Sequence, residues 1–524
     1  MSDEFGHWPV AGTADYRRLD DLLAAPADSQ GKVNMTLASQ LIGIVTLKVS
    51  VDITDLLAYA RRNSAVSGIQ RVVIETIRQF CAEHGVENID VLAFDKTRGG
   101  FKRASAAFFA DNSAYDQAAF CAYFGLTPEA SGDERGAPWP SGGGHSLLSH
   151  VNTRYRDPVK RRFHYWRLNL LNRLSRGATF EKRGIVERSQ TGSARRRGAE
   201  WRDANFNADD RVLIMGATWS LAGHSEALLR AKAKQPFKVF HLVHDLIPLV
   251  TPEHVDGGTP AQFEKFIQGV FRHADTIIAN SQATARDLAR YARLAGLAAP
   301  EIVTTPLAHQ FFPPEIAPDA RGHIRLFNDR NFRFPQHATA RISNATVEPY
   351  ALVVGTIDSR KNIARLLRAW ERLIAKNGPR TPTLILAGKP GAFSDDIWRM
   401  LRASGNLMGK VRYIARPDDA ELAFLYANCL FSICLSYYEG WGLPIGESMW
   451  LGRPVVASNS SSMPEVGGDL VDYCDPYDDW DIETVLSRLC FDARYRDQRA
   501  IALAHAKLRS WNEVGAQLWR TIQA

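Results

Sequence analysis

Two glutamates with seven residues between them, Glu439 and Glu447, frame a glycine-containing turn in the stretch Tyr437 to Glu465, YYEGWGLPIGESMWLGRPVVASNSSSMPE. The apolar run Leu430 to Leu435 before them has the length and make-up of a buried strand, and Pro444 opens a helical segment through Leu451. That places the amides of Trp441, Gly442 and Leu443 at a helix N-terminus, where an anion is favoured. Gly442 has no side chain to keep a phosphate from the main chain. The pattern reads as a phosphate seat with a sugar-reading carboxylate on either side. Solvated glutamates beside an ordinary α/β turn are the plainer reading of the spacing.

Three further positions could do chemistry with it. Arg360 and Lys361 open a helix whose apolar positions Ile363, Leu366, Leu367, Trp370 and Leu373 share one face. Adjacent cations oppose the helix dipole there, and a bound diphosphate would compensate, with Arg as a planar fork and Lys as a compact charge. His244 ends the apolar run Phe237 to Val243, at the strand end where open parallel sheets place ligand contacts; a hydrogen-bonded structural histidine fits the position too. Gly68, in a loop between the strand Val45 to Ile53 and a helix reaching Glu83, either approaches a ligand phosphate or makes a tight turn. That helix turns Val72, Val73, Ile77 and Phe80 to one side.

The elements that must position these residues alternate strand and helix in two stretches. A first runs from residue 41 to 312 and a second from 349 to 505, so the fold class is α/β with two doubly wound domains, as 524 residues require. Residues 1–40 read as an extension, 313–348 as a linker, and 506–524 as a C-terminal helix returning to the first domain. The alternation lapses over about 95–210, which reads as an insertion. Between Arg154 and Glu200 it carries fourteen basic and four acidic residues, a local excess larger than the +7 of the whole chain. Within it, residues 160–176 have the make-up of a basic amphipathic helix. Such a helix either lies on an anionic membrane or packs on its own domain with a solvated basic face. Its aromatic residues follow the helical stripe and form no stacking platform, which weighs against nucleic acid.

Apolar content of 45% and charged content of 23% are those of a soluble globular chain. The six cysteines show no CxxC and read as reduced, buried thiols of a cytoplasmic protein. The acidic, polar start lacks the features of a signal peptide, and Leu41 to Val51 is too short to span a membrane. No GxGxxG supports a nicotinamide enzyme, no GxxxxGK[ST] an NTPase, and no aspartate-rich DxD in a suitable loop a metal site.

The run EGWGLPIGE (439–447), with GRPVVAS (452–458) and MPEVGGD (463–469), resembles the donor site of retaining glycosyltransferases of family four, which have the GT-B fold of two Rossmann-like domains across a cleft. GTIDSRKN (355–362) resembles the motif whose Arg-Lys pair grips the donor diphosphate, HDLIPL (244–249) the motif whose histidine faces the donor sugar, and SGIQR (67–71) the loop on the cleft. Ala308 stands where relatives often have glycine. The resemblance implies a nucleoside-diphosphate sugar as donor substrate, no metal or other cofactor, and transfer with retention. It gives catalytic roles to His244, Glu439, Arg360 and Lys361, and donor binding to Gly68, Gly442, Leu443 and Glu447, the last on the ribose. SGIQR with HDLIPL is similar to bacterial mannosyl- and rhamnosyltransferases of surface polysaccharide assembly. The implied donor is GDP-mannose or a GDP- or dTDP-deoxyhexose, and the acceptor a saccharide, free or polyprenyl-linked. A location in the cytoplasm, at the inner face of the plasma membrane, follows. The alternatives are a non-catalytic nucleotide-sugar-binding scaffold and another GT-B enzyme such as a sugar-nucleotide epimerase.

Overall fold

The computed structural model describes residues 48–63, 65–111, 115–129, 198–311 and 339–524. The N-terminal extension, the basic segment 160–176 and most of the expected linker lie outside them.

Among the described residues, eight strands build the first lobe. They are β1 (Val49–Asp52), β2 (Ile89–Asp95), β3 (Gly100–Ser105), β4 (Arg202–Asp203), β5 (Arg211–Ile214), β6 (Lys238–Val243), β7 (Thr276–Ala279) and β8 (Glu301–Thr304). Their order is β4-β3-β2-β1-β5-β6-β7-β8. Neighbours pair in parallel except β2–β3 and β3–β4. The antiparallel edge strands come from the stretch read as an insertion, so both ends of that stretch belong to the sheet. Central strands β1 and β7 are buried along their whole length, and β1 encloses the polar Ser50 and Asp52 between its valines and the strand end.

The second lobe has β9 (Tyr350–Val354), β10 (Thr383–Gly388), β11 (Val411–Ala415), β12 (Phe431–Cys434), β13 (Val455–Ser458) and β14 (Asp472–Cys474), all parallel, in the order β11-β10-β9-β12-β13-β14. The strand order reverses at β9, leaving a crevice at the carboxyl ends of β9 and β12. Residues 340–345, which show no period in the sequence, form a short helix because Ile342 is fully buried beside Phe311 and Tyr350.

Eight helices carry the argument that follows: α1 (Gly68–His84), α2 (Gln282–Ala295), α3 (Ile363–Asn377), α4 (Asp419–Asn428), α5 (Leu443–Trp450), α6 (Met463–Gly467), α7 (Asp479–Phe491) and α8 (Trp511–Gln523). On α3 the apolar stripe Ile363, Leu366, Leu367, Trp370 and Leu373 is buried against β9 and β10, and Trp370 is fully enclosed. On α1, Val72, Val73, Ile77 and Phe80 are buried likewise. Each stripe removes several large side chains from water, at about 1.5–3 kcal/mol apiece.

The chain ends by crossing lobes. Ser510 and Glu513 form a capping box at the start of α8. Trp519 then lies 3.7 Å from the His84 ring and 5.0 Å from Phe80, both on α1. Gly515 permits the approach, since a Cβ there would lie 2.8 Å from that of Gln79. Gln517 also donates to the carbonyl of Thr304 at 3.0 Å.

Candidate active site

The crevice at β9 and β12 gathers the charged residues. After β9 the chain makes a 3-10 turn, Ser359–Lys361, capped by Asp358, whose side chain accepts from the Lys361 amide. Asn362 is left-handed (φ 58°) and separates this turn from α3. Arg360 and Lys361 therefore sit in a capped turn before the helix, not in its first turn as the sequence suggests, and the dipole conflict does not arise. After β12, Ser436 to Glu439 come down on the other side of the crevice.

Both cations meet on one carboxylate oxygen. Lys361 Nζ lies 2.6 Å and Arg360 Nη1 2.9 Å from Glu439 Oε1, and the Ser436 hydroxyl donates to it at 2.6 Å. All three charged side chains are nearly buried. Burial pushes the Glu439 carboxyl up, but Arg360 and Lys361 outweigh it and hold the group down to about 2. Burial likewise opposes charge on both cations, and Glu439 overcomes it, raising both above their ordinary values. Glu439 is pinned besides through its main chain, its amide donating to Ser461 and its carbonyl accepting from Ser462, each at 2.9 Å.

Gly442, at φ 103°, turns the chain into α5 in a conformation that favours glycine. Pro444 has no N–H and the Ile445 amide donates to the Gly442 carbonyl at 2.9 Å, so the expected anion seat rests on the amides of Trp441, Gly442 and Leu443 at the start of α5. Leu443 meets the other lobe: a Cβ on Gly68 would lie 3.0 Å from its Cδ1. Gly68 is the first residue of α1 rather than part of a loop, and it faces the first residue of α5 across the cleft. One turn into α5, Glu447 is buried and accepts from the Tyr426 hydroxyl at 2.9 Å. Burial raises its carboxyl pKa, against the pull of Arg71. Arg71, from α1, spans the cleft to Asp419 at 2.7 Å and lies over the Phe311 ring.

His244 follows β6 on the opposite wall. Its Nε2 lies 2.7 Å from the Met215 carbonyl, an acceptor only, so Nε2 carries the proton and Nδ1 is left as an acceptor. Burial lowers its pKa to about 4, so the ring is neutral. Its own carbonyl lies against Gly440: a Cβ there would stand 2.0 Å from that oxygen. The lobes also join at α2. Glu465 from α6 accepts from the amides of Gln282 (2.6 Å) and Ala283 (2.8 Å), a carboxylate set on the N-terminus of a 14-residue helix. Tyr438 bonds Asp287 one turn along.

The structure thus brings Arg360, Lys361 and Glu439 into one cluster, sets Gly442, Leu443 and Glu447 on the neighbouring helix, and places Gly68 and His244 on the facing lobe. Sequence reasoning missed Ser436, Tyr426 and Glu465. Glu465 stands in the quoted MPEVGGD run, and Ser436 just before the glutamate motif; for Tyr426 no local signal exists. Trp441 Nε1, beside the anion seat, is buried with no hydrogen-bond partner among the described residues. Among those residues no group of three His, Cys, Asp or Glu could hold a metal ion, no helix is long and apolar enough to cross a membrane, and all six cysteines are free and buried.

Residues 338–499, the second lobe, match the family model described as glycosyl transferases group 1. The chain is 40% identical over 169 residues to O-antigen chain mannosyltransferase B of Escherichia coli, covering 32% of this chain and 44% of that protein. It is 28% identical over 285 residues to the serotype-specific mannosyltransferase WbdA of Escherichia coli, covering 53% of this chain and 32% of that one. The chain thus spans less than half the length of either relative. Anabaena Alr3699/HepE, solved with UDP and glucose, superposes with a TM-score of 0.50 at 15% identity, over 91% of this chain and all of that one. The fold is GT-B, two Rossmann-like lobes facing across a cleft.

Proposed function

We propose that this chain is a retaining glycosyltransferase. In this reading it moves mannose from GDP-mannose, or failing that a GDP- or dTDP-linked deoxyhexose, to a saccharide or polyprenyl-linked saccharide in surface polysaccharide assembly. The observation that carries the reading is the convergence of Arg360, Lys361 and Glu439 at the strand-order reversal of the lobe that matches the glycosyl transferases group 1 model. The mannosyltransferase names of the two relatives support the choice of sugar.

Sugar transfer must stabilise a departing diphosphate and a positively charged anomeric carbon. Fixed donors aimed where charge develops do this best, because they need no reorganisation during the reaction. Arg360 and Lys361, with the amides of Gly442 and Leu443 at the start of α5, take the diphosphate. As the phosphates draw the cations away, Glu439 is released to accept hydroxyls of the donor sugar and to oppose the developing positive charge. Glu447, held by Tyr426, takes the ribose hydroxyls. His244 offers Nδ1 as an acceptor to a sugar hydroxyl from the facing lobe.

The acceptor hydroxyl attacks on the face the diphosphate leaves. The anomeric carbon–phosphate oxygen bond breaks, the new glycosidic bond forms, and the hydroxyl proton passes to the leaving phosphate. No metal is assigned a part. The basic segment 160–176 is read as a contact to the anionic inner face of the plasma membrane, which would keep the chain in the cytoplasm near lipid-linked acceptors.

Calorimetry with GDP-mannose, GDP-fucose, dTDP-rhamnose and UDP-glucose tests the reading, with GDP-mannose expected to bind tightest. Absence of heat with all four would end it. Proton NMR of the transfer product then assigns the anomeric configuration.

A further inference from the structure

Two large aromatic side chains stand in water beside the cleft. Tyr477 is 66% and Trp480 72% exposed, whereas the other large aromatics among the described residues are mostly interior. Neither is a loose surface residue. The Tyr477 ring stacks on Tyr437 at 5.0 Å, and Tyr437 stacks in turn on His254 of the other lobe at 5.3 Å. His254 Nδ1 lies 2.9 Å from the hydroxyl of Ser359, the residue before Arg360. The ledge backbone is fixed as well: the Tyr477 amide donates to Asp475 and the Trp480 amide to Asp478, each at 2.8 Å, while Arg365 donates to the Tyr477 carbonyl. A stack of three rings, His254, Tyr437 and Tyr477, thus leads from the charged cluster to the outer surface, and Trp480 stands three residues on at the start of α7, with the Lys376 ammonium over its ring at 5.5 Å and most of the indole left exposed.

The charge around the ledge narrows what it can take. The cations that border it are engaged, Arg365 by Asp479 and both Arg372 and Lys376 by Glu483. Asp475, Asp478 and Asp481 stand between and beside the two rings. The surface is therefore acidic, which disfavours an anionic membrane or a nucleic acid. A pyranose fits: its C–H face packs on an aromatic ring, and its hydroxyl rim donates to carboxylates.

We propose that the Tyr477–Trp480 ledge binds a neutral saccharide chain, the part of the acceptor remote from the reacting hydroxyl. This rests on the glycosyl-transfer reading of the cleft. A chain lying along the ledge would present its end toward His254 and Tyr437 at the cleft mouth, and a longer acceptor would gain contacts that a short one lacks.

The test uses the full chain and Y477A/W480A, two exposed substitutions that leave the core untouched, in native gels containing neutral α-mannan. Mannan should retard the wild type, and the double variant should lose that retardation about five- to ten-fold, the order expected for losing two ring contacts. In transfer assays the variant's KM should rise by a similar factor for mannotetraose and less than about two-fold for mannose, with GDP-mannose binding by calorimetry unchanged. Equal retardation of wild type and variant, or none of either, overturns the proposal. So does a variant that instead loses sedimentation with phosphatidylglycerol vesicles, or that turns a dimer into a monomer. A protein that binds no nucleotide sugar sinks the reading of the cleft; one that binds GDP-mannose but ignores mannan sinks the ledge alone.

Discussion

Lys361 Nζ lies 2.6 Å from Glu439 Oε1, the oxygen that Arg360 and Ser436 also reach. The carboxylate expected to serve the sugar and the cations expected to serve the diphosphate are thus one buried cluster before any donor arrives. In the proposed reaction a donor draws the cations off Glu439, which would make binding of the diphosphate and readiness of the carboxylate linked steps.

Arg360→Ala and Lys361→Ala should each lower kcat about 10²–10³-fold, the size seen when one fixed donor to a developing anion is removed. Arg360→Lys should not restore the rate, because a point charge cannot replace the planar fork. Single-turnover rates on folded variants, checked by circular dichroism, decide this. Near-normal rates in both alanine variants would remove the pair from the mechanism.

Glu447→Ala should weaken nucleotide binding by about 10- to 100-fold, since hydrogen bonds to a charged group contribute ~1.5–3 kcal/mol. Tyr426→Phe deletes the hydroxyl that orients Glu447 and should weaken binding about three- to ten-fold, a neutral bond's worth. Calorimetry with GDP separates the two. If Tyr426→Phe binds GDP as the wild type does, Tyr426 has no positioning role.

Acid should destabilise the fold from about pH 6.5 downward. Burial lowers His241 well below its ordinary value, His273 to about 3 and His244 to about 4. Unfolding lets these rings bind protons below their usual value of 6.5, so stability falls as pH drops from 6.5 toward the folded values, by up to about 1.4 kcal/mol per ring per pH unit. Glu439, at about 2, adds stability that is present above 4.5 and lost as pH falls below it. The raised carboxyls of Glu447 and Asp245 act in the opposite sense and soften the slope. Urea midpoints between pH 8 and 4 measure this, and a flat profile from pH 7 to 5 would contradict it.

Chelation should leave transfer intact. If Arg360 and Lys361 meet the leaving charge as proposed, activity in EDTA should stay within about two-fold of the untreated protein, since no barrier change beyond ~0.4 kcal/mol is expected. A loss of more than tenfold, restored by added Mg²⁺ or Mn²⁺, would assign a metal to the reaction.

Glu465→Gln removes the charge from a carboxylate set on two helix amides and should loosen the lobes. The radius of gyration by small-angle scattering should rise in the donor-free protein, and KM for the donor should change more than kcat. An unchanged scattering curve would show that the other contacts suffice.

What the sequence made legible was whatever repeats locally. The stripe from Ile363 to Leu373 and the glutamate pair around Gly442 could be read because period and spacing are carried within a few turns. Arg360 and Lys361 were placed one turn too far into a helix, because Asp358 caps the 3-10 turn and Asn362 adopts a left-handed conformation that periodicity does not reveal. The helix at 340–345 is too short to show a period. Tyr426 meeting Glu447, Glu465 meeting Gln282 and Tyr477 stacking on Tyr437 depend on which segments the sheet order makes neighbours, so no local pattern announces them.

Gly440 lets the main chain of one lobe touch that of the other at His244. No side chain can yield there, so even a methyl group would act as a doorstop. Gly440→Ala should therefore hold the jaws ajar while leaving every charged group in place, giving a molecule that can grasp its nucleotide but cannot commit it. Such a trapped form would let the capture and turnover of the proposed reaction be timed separately.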